Sequence, residues 1–171
     1  MSKSERRTAQ IIAINARKAR VVVGAQEAYR PSRYGYRIAG CGFLVAERVL
    51  SEVVIAPTLY PVPKAPEWLL GLTNVRGNIV PVFDLWKFVR TRIPERQTLT
   101  VLVLDLGREA VGLVIDNLPT PVPLDSQVVH TPPSAPALQP FLGQGLNALG
   151  CEWWEFDYQS FLARLSAVDS R

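Results

Sequence analysis

The chain has 171 residues, 48% hydrophobic and 20% charged, which fits one domain or two small lobes and excludes a disordered polymer. Its net charge of +4 is unevenly placed: residues 1–33 hold eight basic and two acidic side chains, a net +6, and the rest hold 11 basic and 13 acidic, a net −2. The body is therefore slightly acidic, which argues against a nucleic-acid surface there.

Two cysteines, Cys41 and Cys151, form no CxxC pair, and without a secretion signal they are expected to stay reduced. Arg6-Arg7 has the look of a twin-arginine export signal, but residues 9–16 are too short and too polar for its apolar core. No signal peptide and no membrane span are expected, so the protein is read as cytoplasmic. Fourteen prolines favour short strands and stiff connections over long helices.

Residues 2–30 carry helix signals, with Ser2 and Glu5 as a capping box and Pro31 as a stop. Their apolar positions make no clean helical stripe, and Val21, Val22 and Val23 are poor helix formers. Two readings stay open: a solvated arm, or an arm that binds a partner or an acidic surface. Tyr34, Tyr36 and Ile38 alternate with Gly35 and Arg37, predicting a strand that turns over residues 39–42 and returns through Phe43, Leu44 and Val45. Residues 49–55 predict another strand. Glu52 is its one acid, either a rim residue or a partner contact.

Residues 62–86 organise the rest. Pro61, Pro63 and Pro66 stiffen the entry, Trp68-Leu69-Leu70 reads as a short apolar turn, and Gly71 is expected to stop it. Asn74-Val75-Arg76-Gly77 predicts a bend, because Gly can take φ > 0. Ile79, Val80, Val82 and Phe83 predict a buried strand, and Asp84 a cap on a one-turn helix. Arg76 is a lone cation on a glycine-flanked bend, presented to meet something else.

Residues 90–98 read as a basic loop, with Arg90, Arg92 and Arg96 in it and Lys87 just before. Residues 99–106 and 110–115 predict a second hairpin, and Gly112 within it marks a bulge or the close approach of another backbone. Pro119, Pro121 and Pro123 restrict their segment to an edge strand or an extended connection. Residues 131–140 form a proline-rich loop. Trp153, Trp154 and Phe156 predict a last buried strand. Asp157 is expected to cap a final helix with Tyr158, Phe161, Leu162 and Leu165 on one face. The sum is eight to ten short strands without βαβ alternation, so small antiparallel barrels or sandwiches are favoured.

Catalytic signals are missing. His130 is the lone histidine and has no evident nucleophile partner. No zinc spacing or phosphate loop is present, and Asp84, Asp105, Asp116 and Asp157 sit where caps and turns sit. No enzyme activity and no cofactor are expected. The four tryptophans lie beside Leu and Phe, as core residues do, rather than among Lys and Arg.

Residues 71–85, Gly-Leu-Thr-Asn-Val-Arg-Gly-Asn-Ile-Val-Pro-Val-Phe-Asp-Leu, resemble the signature of the CheW-like domain, the adaptor of bacterial chemosensory arrays. The entry at Val62, Pro63, Ala65, Pro66, Trp68 and Leu69, the hairpin over 106–116 and the closing segments 142–145 and 154–157 resemble the same family in the same order. The resemblance spans residues 34–166, leaving 1–33 as a basic, partly mobile extension and 167–171 as a tail. It implies a mainly β fold, two packed five-stranded SH3-like β-barrels with short helices, and no catalysis.

It also implies two partners, the cytoplasmic tip of a methyl-accepting chemoreceptor and the regulatory domain of a CheA-type histidine kinase. Small-molecule substrates and membrane insertion are not implied; location at membrane-associated receptor arrays is. Arg76 matches the motif arginine at the partner-facing surface, and Asn74, Val75 and Gly77 shape its loop. Glu52 matches the acid of the family's Val-x-Glu-Val-type strand, followed here by Val53. Gly112 matches a glycine lining the groove between barrels. The long basic extension resembles the PilI-like branch that serves type IV pilus twitching systems. The alternative is a β-barrel that binds nucleic acid through its basic arm, which deletion of residues 1–33 would abolish.

Overall fold

A computed structural model describes residues 32–89, 96–105, 107–124, 127–130 and 136–168. Of the basic extension only Ser32 and Arg33 fall in this set, and they belong to the first strand; of the expected 167–171 tail, residues 167 and 168 belong to the C-terminal helix, and the remainder of both segments lies outside the described residues.

Strands β1 (Ser32–Ile38) and β2 (Cys41–Leu44) form a hairpin. Its turn is the pair Ala39-Gly40, with φ of +55° and +75°. That primed geometry matches strand twist, so Cys41 and Gly42 already pair with Ile38 and Arg37 instead of extending the turn. Next come β3 (Ser51–Ile55), β4 (Leu69–Val75), β5 (Asn78–Phe83), β6 (Thr100–Leu104) and β7 (Val111–Val114). They make one sheet in the order β3-β6-β7-β5-β4. Strands β8 (Thr120–Pro123), β9 (Gln127–Val129), β10 (Leu142–Ala148) and β11 (Cys151–Phe156) join the first hairpin in the order β8-β1-β2-β11-β10-β9. The lobe built from residues 51–114 is thus a continuous insert within the other lobe. These are the two SH3-like lobes of the expected fold; the three-residue β9 gives the first lobe a sixth strand.

The proline triplet is accommodated as predicted. β8 is an edge strand with β1 on one side, so Pro121 and Pro123 withhold no bond from a second neighbour. The aromatic closing strand needs glycines beneath it. A Cβ on Gly35 would lie 2.5 Å from the Trp153 ring, and one on Gly145 2.7 Å from that of Trp154. Trp153 and Trp154 are buried, while Trp68 and Trp86 are partly so.

The largest apolar cluster joins the lobes. Tyr36, Phe43 and Phe156 of the first meet Leu102, Leu104 and Leu113 of the second, with Phe161 and Leu165 of the C-terminal helix α2 (Tyr158–Val168) among them. A separate valine cluster, Val80, Val82, Val101, Val103 and Val114, fills the second lobe. Cys41 packs on the shared cluster and Cys151 on the interior of the first lobe, and both thiols are free.

Two expectations around the central stretch fail. Leu69 and Leu70 open β4 instead of forming a turn, and Gly71 lies inside that strand at φ +142°, at a shift of register. A Cβ there would lie 2.5 Å from the Tyr60 carbonyl oxygen, because Tyr60 bridges Leu72 through two 2.8 Å backbone bonds. Gly71 therefore admits a crossing segment. Ile79, expected inside, is 62% exposed.

The aspartates act as local anchors. Asp84, 2% exposed, accepts from the Trp86 N–H at 3.2 Å and caps helix α1 (Leu85–Val89). It also takes a two-pronged bond from Arg96 at 2.7 and 3.3 Å, and the guanidinium lies 5.8 Å from the Trp86 ring centre. Arg96, read from sequence as one charge of a basic loop, is thus a structural clamp. Asp157 caps α2 by accepting from the Ser160 N–H at 3.0 Å. Asp116 accepts from the Gly40 N–H and the Trp86 indole, tying the first hairpin to α1 across the lobes.

Candidate functional site

Between β4 and β5 the chain reverses through Arg76 and Gly77, at φ +52° and +88°. Both central residues of a primed two-residue turn must be left-handed, a conformation that Gly and Asn take readily and Arg does not. Asn74 supports the turn by accepting the Gly77 N–H on its Oδ1 at 2.9 Å. Val75 packs against the valine cluster below. Asn74, Val75 and Gly77 all lie on or beside this turn.

Arg76 is not alone. Its Nε lies 2.9 Å from Glu52 Oε2, with the guanidinium side chain 78% exposed and the carboxylate side chain 29% exposed. β3 and β4 are the two edges of their sheet, so this ion pair exists because the sheet curls until an edge strand meets the β4–β5 corner. A charge on an edge strand also blunts its tendency to pair with another chain. Exposure and pairing together fix the guanidinium in place while leaving donors free to face outward.

A small cavity of about 30 Å³ lies beneath the pair. Val75, Val80, Val103 and Ala110 form its apolar floor, and Glu52, Arg76, Asn78 and Asp105 its polar rim. Ile79 is exposed one step along β5, opposite Asn74. The corner thus offers a fixed cation, a carboxylate and an apolar side chain, the usual makings of a protein contact.

Two of the other predicted residues lie elsewhere. Val53 points to the shared cluster between lobes, on the opposite face of β3 from Glu52. Gly112 is buried in the second lobe, where a Cβ would lie 2.8 Å from Val101 Cγ1 and 3.2 Å from Val82 Cγ2. It pairs in unbroken register with Val103 and Val82. It is therefore neither a bulge nor part of a groove between lobes; it makes room for valines. Asp105 was read only as a turn residue and turns out to line the cavity, because the hairpin brings the end of β6 beside β3.

A second concavity, of about 540 Å³, opens beside the start of α2 and is walled in part by Arg33, Glu47, Glu155 and Tyr158. Arg33 is committed there, 2.6 Å from Glu155 Oε1 and donating to the Val45 carbonyl at 3.0 Å. Burial and the neighbouring Asp116 raise the Cys41 thiol above its ordinary pKa, so it is a poor nucleophile. Among the described residues no group of three or more His, Cys, Asp or Glu could hold a metal ion, and no helix is long and apolar enough to cross a membrane.

The CheW-like domain family model matches residues 36–145 of this chain. Protein PilI of Pseudomonas aeruginosa is 32% identical over 139 residues, covering 77% of this chain and 78% of that protein. The chemotaxis protein CheW of Klebsiella aerogenes is 33% identical over 91 residues, covering 52% and 55%. The crystal structure of scaffolding protein TtCheW from Thermoanaerobacter tengcongensis superposes with a TM-score of 0.58 at 19% identity, covering 75% of this chain and 89% of that one.

Proposed function

Because the chain belongs to the CheW-like domain family, we propose that it is a non-catalytic adaptor coupling a methyl-accepting chemoreceptor to a CheA-type histidine kinase in chemosensory signalling. The likeness to PilI favours a type IV pilus output, twitching motility, over a flagellar one. The protein works in the cytoplasm at receptor arrays. The nucleic-acid alternative gains nothing from these relatives, and the basic arm that would serve it lies outside the described residues.

The observation that carries the reading is the Arg76 corner. An exposed arginine is held in a left-handed turn by an exposed ion pair that is weak in itself. Local strain kept where it adds little to folding is characteristic of a site kept for contact. Arg76 and Glu52 are the partner-facing pair, and Asn74, Val75 and Gly77 set their position. The test is binding of the full chain to a purified kinase regulatory domain and to a receptor-tip fragment. Arg76→Ala should weaken at least one of these about 30-fold, the scale of a hot-spot residue. Unchanged binding to both would overturn the assignment of the corner.

A further inference from the structure

Asp105 stands where three parts of the molecule meet. Its backbone N–H donates to the Leu50 carbonyl at 2.9 Å, fixing the entry to β3 two residues before Glu52. Its own φ is +63°, a left-handed conformation that aspartate tolerates. Asp105 is also one of the residues lining the cavity below Arg76 and Glu52. On the far side, Asp105 Oδ2 accepts from the Tyr158 hydroxyl and from Gln159 Nε2 at 3.3 Å, both on the first turn of α2. Tyr158 is 5% exposed, so its hydroxyl has a fixed direction.

Arg76 thus shares the lining of one small cavity with two acidic residues, Glu52 and Asp105, and pairs with Glu52. The other is already occupied by donors from α2. We propose that Tyr158 is a positioning residue for the partner-binding corner: by engaging Asp105 it leaves Glu52 as the sole anion holding Arg76, and so keeps the guanidinium at the surface. Loss of the hydroxyl frees the Asp105 carboxylate to draw Arg76 inward over the cavity, away from a partner. Helix α2, which packs between the lobes, thereby sets the state of a corner it does not contact through Arg76 itself. The inference rests on the reading of Arg76 as a contact residue.

The experiment measures binding of the full chain to a purified CheA-type regulatory domain, beside a thermal melt of each variant. Tyr158→Phe keeps the ring and removes the donor. It should weaken binding about three- to tenfold, the range carried by a contiguous network of this kind. Adding Asp105→Asn should restore binding to near the starting value, because a neutral amide attracts a guanidinium far more weakly than a carboxylate does. A purely structural role for Tyr158 would not be rescued in this way. Gln159→Ala, at an exposed position, supplies a milder loss of the same bond should Tyr158→Phe fail to fold. If Arg76→Ala leaves binding unchanged, the reading of the corner is wrong. If Arg76→Ala weakens binding but neither α2 substitution does, or Asp105→Asn gives no rescue, the coupling is wrong and the corner stands.

Discussion

Replacing Arg76 by asparagine should move stability and binding in opposite directions. In the structure Arg76 occupies the first left-handed position of a primed turn, at φ +52°. An ordinary residue there costs about 1 kcal/mol, whereas an Asn-Gly pair is the preferred sequence for this turn. Against that gain stands loss of the ion pair to Glu52. With the arginine side chain 78% exposed, that pair is an ordinary surface one. Such pairs contribute about 0–1 kcal/mol. The net change for Arg76→Asn therefore lies between about zero and 1 kcal/mol of added stability. For a chain of this size 1 kcal/mol moves Tm by about 2–4 °C, so a melt should show no loss and at most a rise of about 4 °C. Titration of the kinase regulatory domain should show binding weakened about 30-fold. A fall in Tm of more than about 4 °C would mean that the guanidinium holds the fold together, and the argument from the turn would be wrong.

Asp84→Asn should be the damaging change nearby. It strips the buried negative charge from Arg96 and leaves that largely buried cation without a counter-ion, costing about 3 kcal/mol and about 6–12 °C of Tm by calorimetry. Gly112→Ala should destabilise by about 1–3 kcal/mol through overpacking against Val101 and Val82, with binding at low temperature intact; selective loss of binding would return Gly112 to the interface. Asp157→Ala should cost about 1 kcal/mol at neutral pH by removing the cap of α2. Hydrogen bonds from Ser160 hold the Asp157 carboxyl below its usual value of 3.8, so this contribution is present above that pH and fades as pH falls through the lower, folded value. Melts of variant and parent should therefore converge in acid.

Hairpins were readable in the chain because their signals are local. Alternation at Tyr36 and Ile38 and the apolar run before Gly107 each lie within one window of sequence, and each became the expected pair of strands; the Asn-x-x-Gly bend was equally local, though only the strand after it was expected. What escaped depends on residues brought together only by folding. Gly71 looked like a stop because nothing nearby announces that Tyr60 will cross it. Arg76 looked solitary because its acid comes from the opposite edge of a curled sheet. Gly112 looked like the wall of a groove because its need, space for Val101, is visible only once β6 and β7 are paired. Arg96 looked like one charge of several until Asp84 was found buried against it.

That residues 51–114 form one lobe without interruption makes the corner portable. A cassette exchange between related adaptors would cut the backbone at two junctions and leave every strand pairing of the recipient sheet intact. On the proposed reading of the corner, the transplanted piece would carry its own partner preference, since Arg76, Glu52 and Asp105 all travel together. Its demands on the host are a matching oily face for Leu102, Leu104 and Leu113 to rest on, donors where Tyr158 and Gln159 meet Asp105, and an acceptor where Asp116 meets the Trp86 indole. Partner choice in such a molecule can therefore change by recombination of a single block, without gradual remodelling of a surface residue by residue.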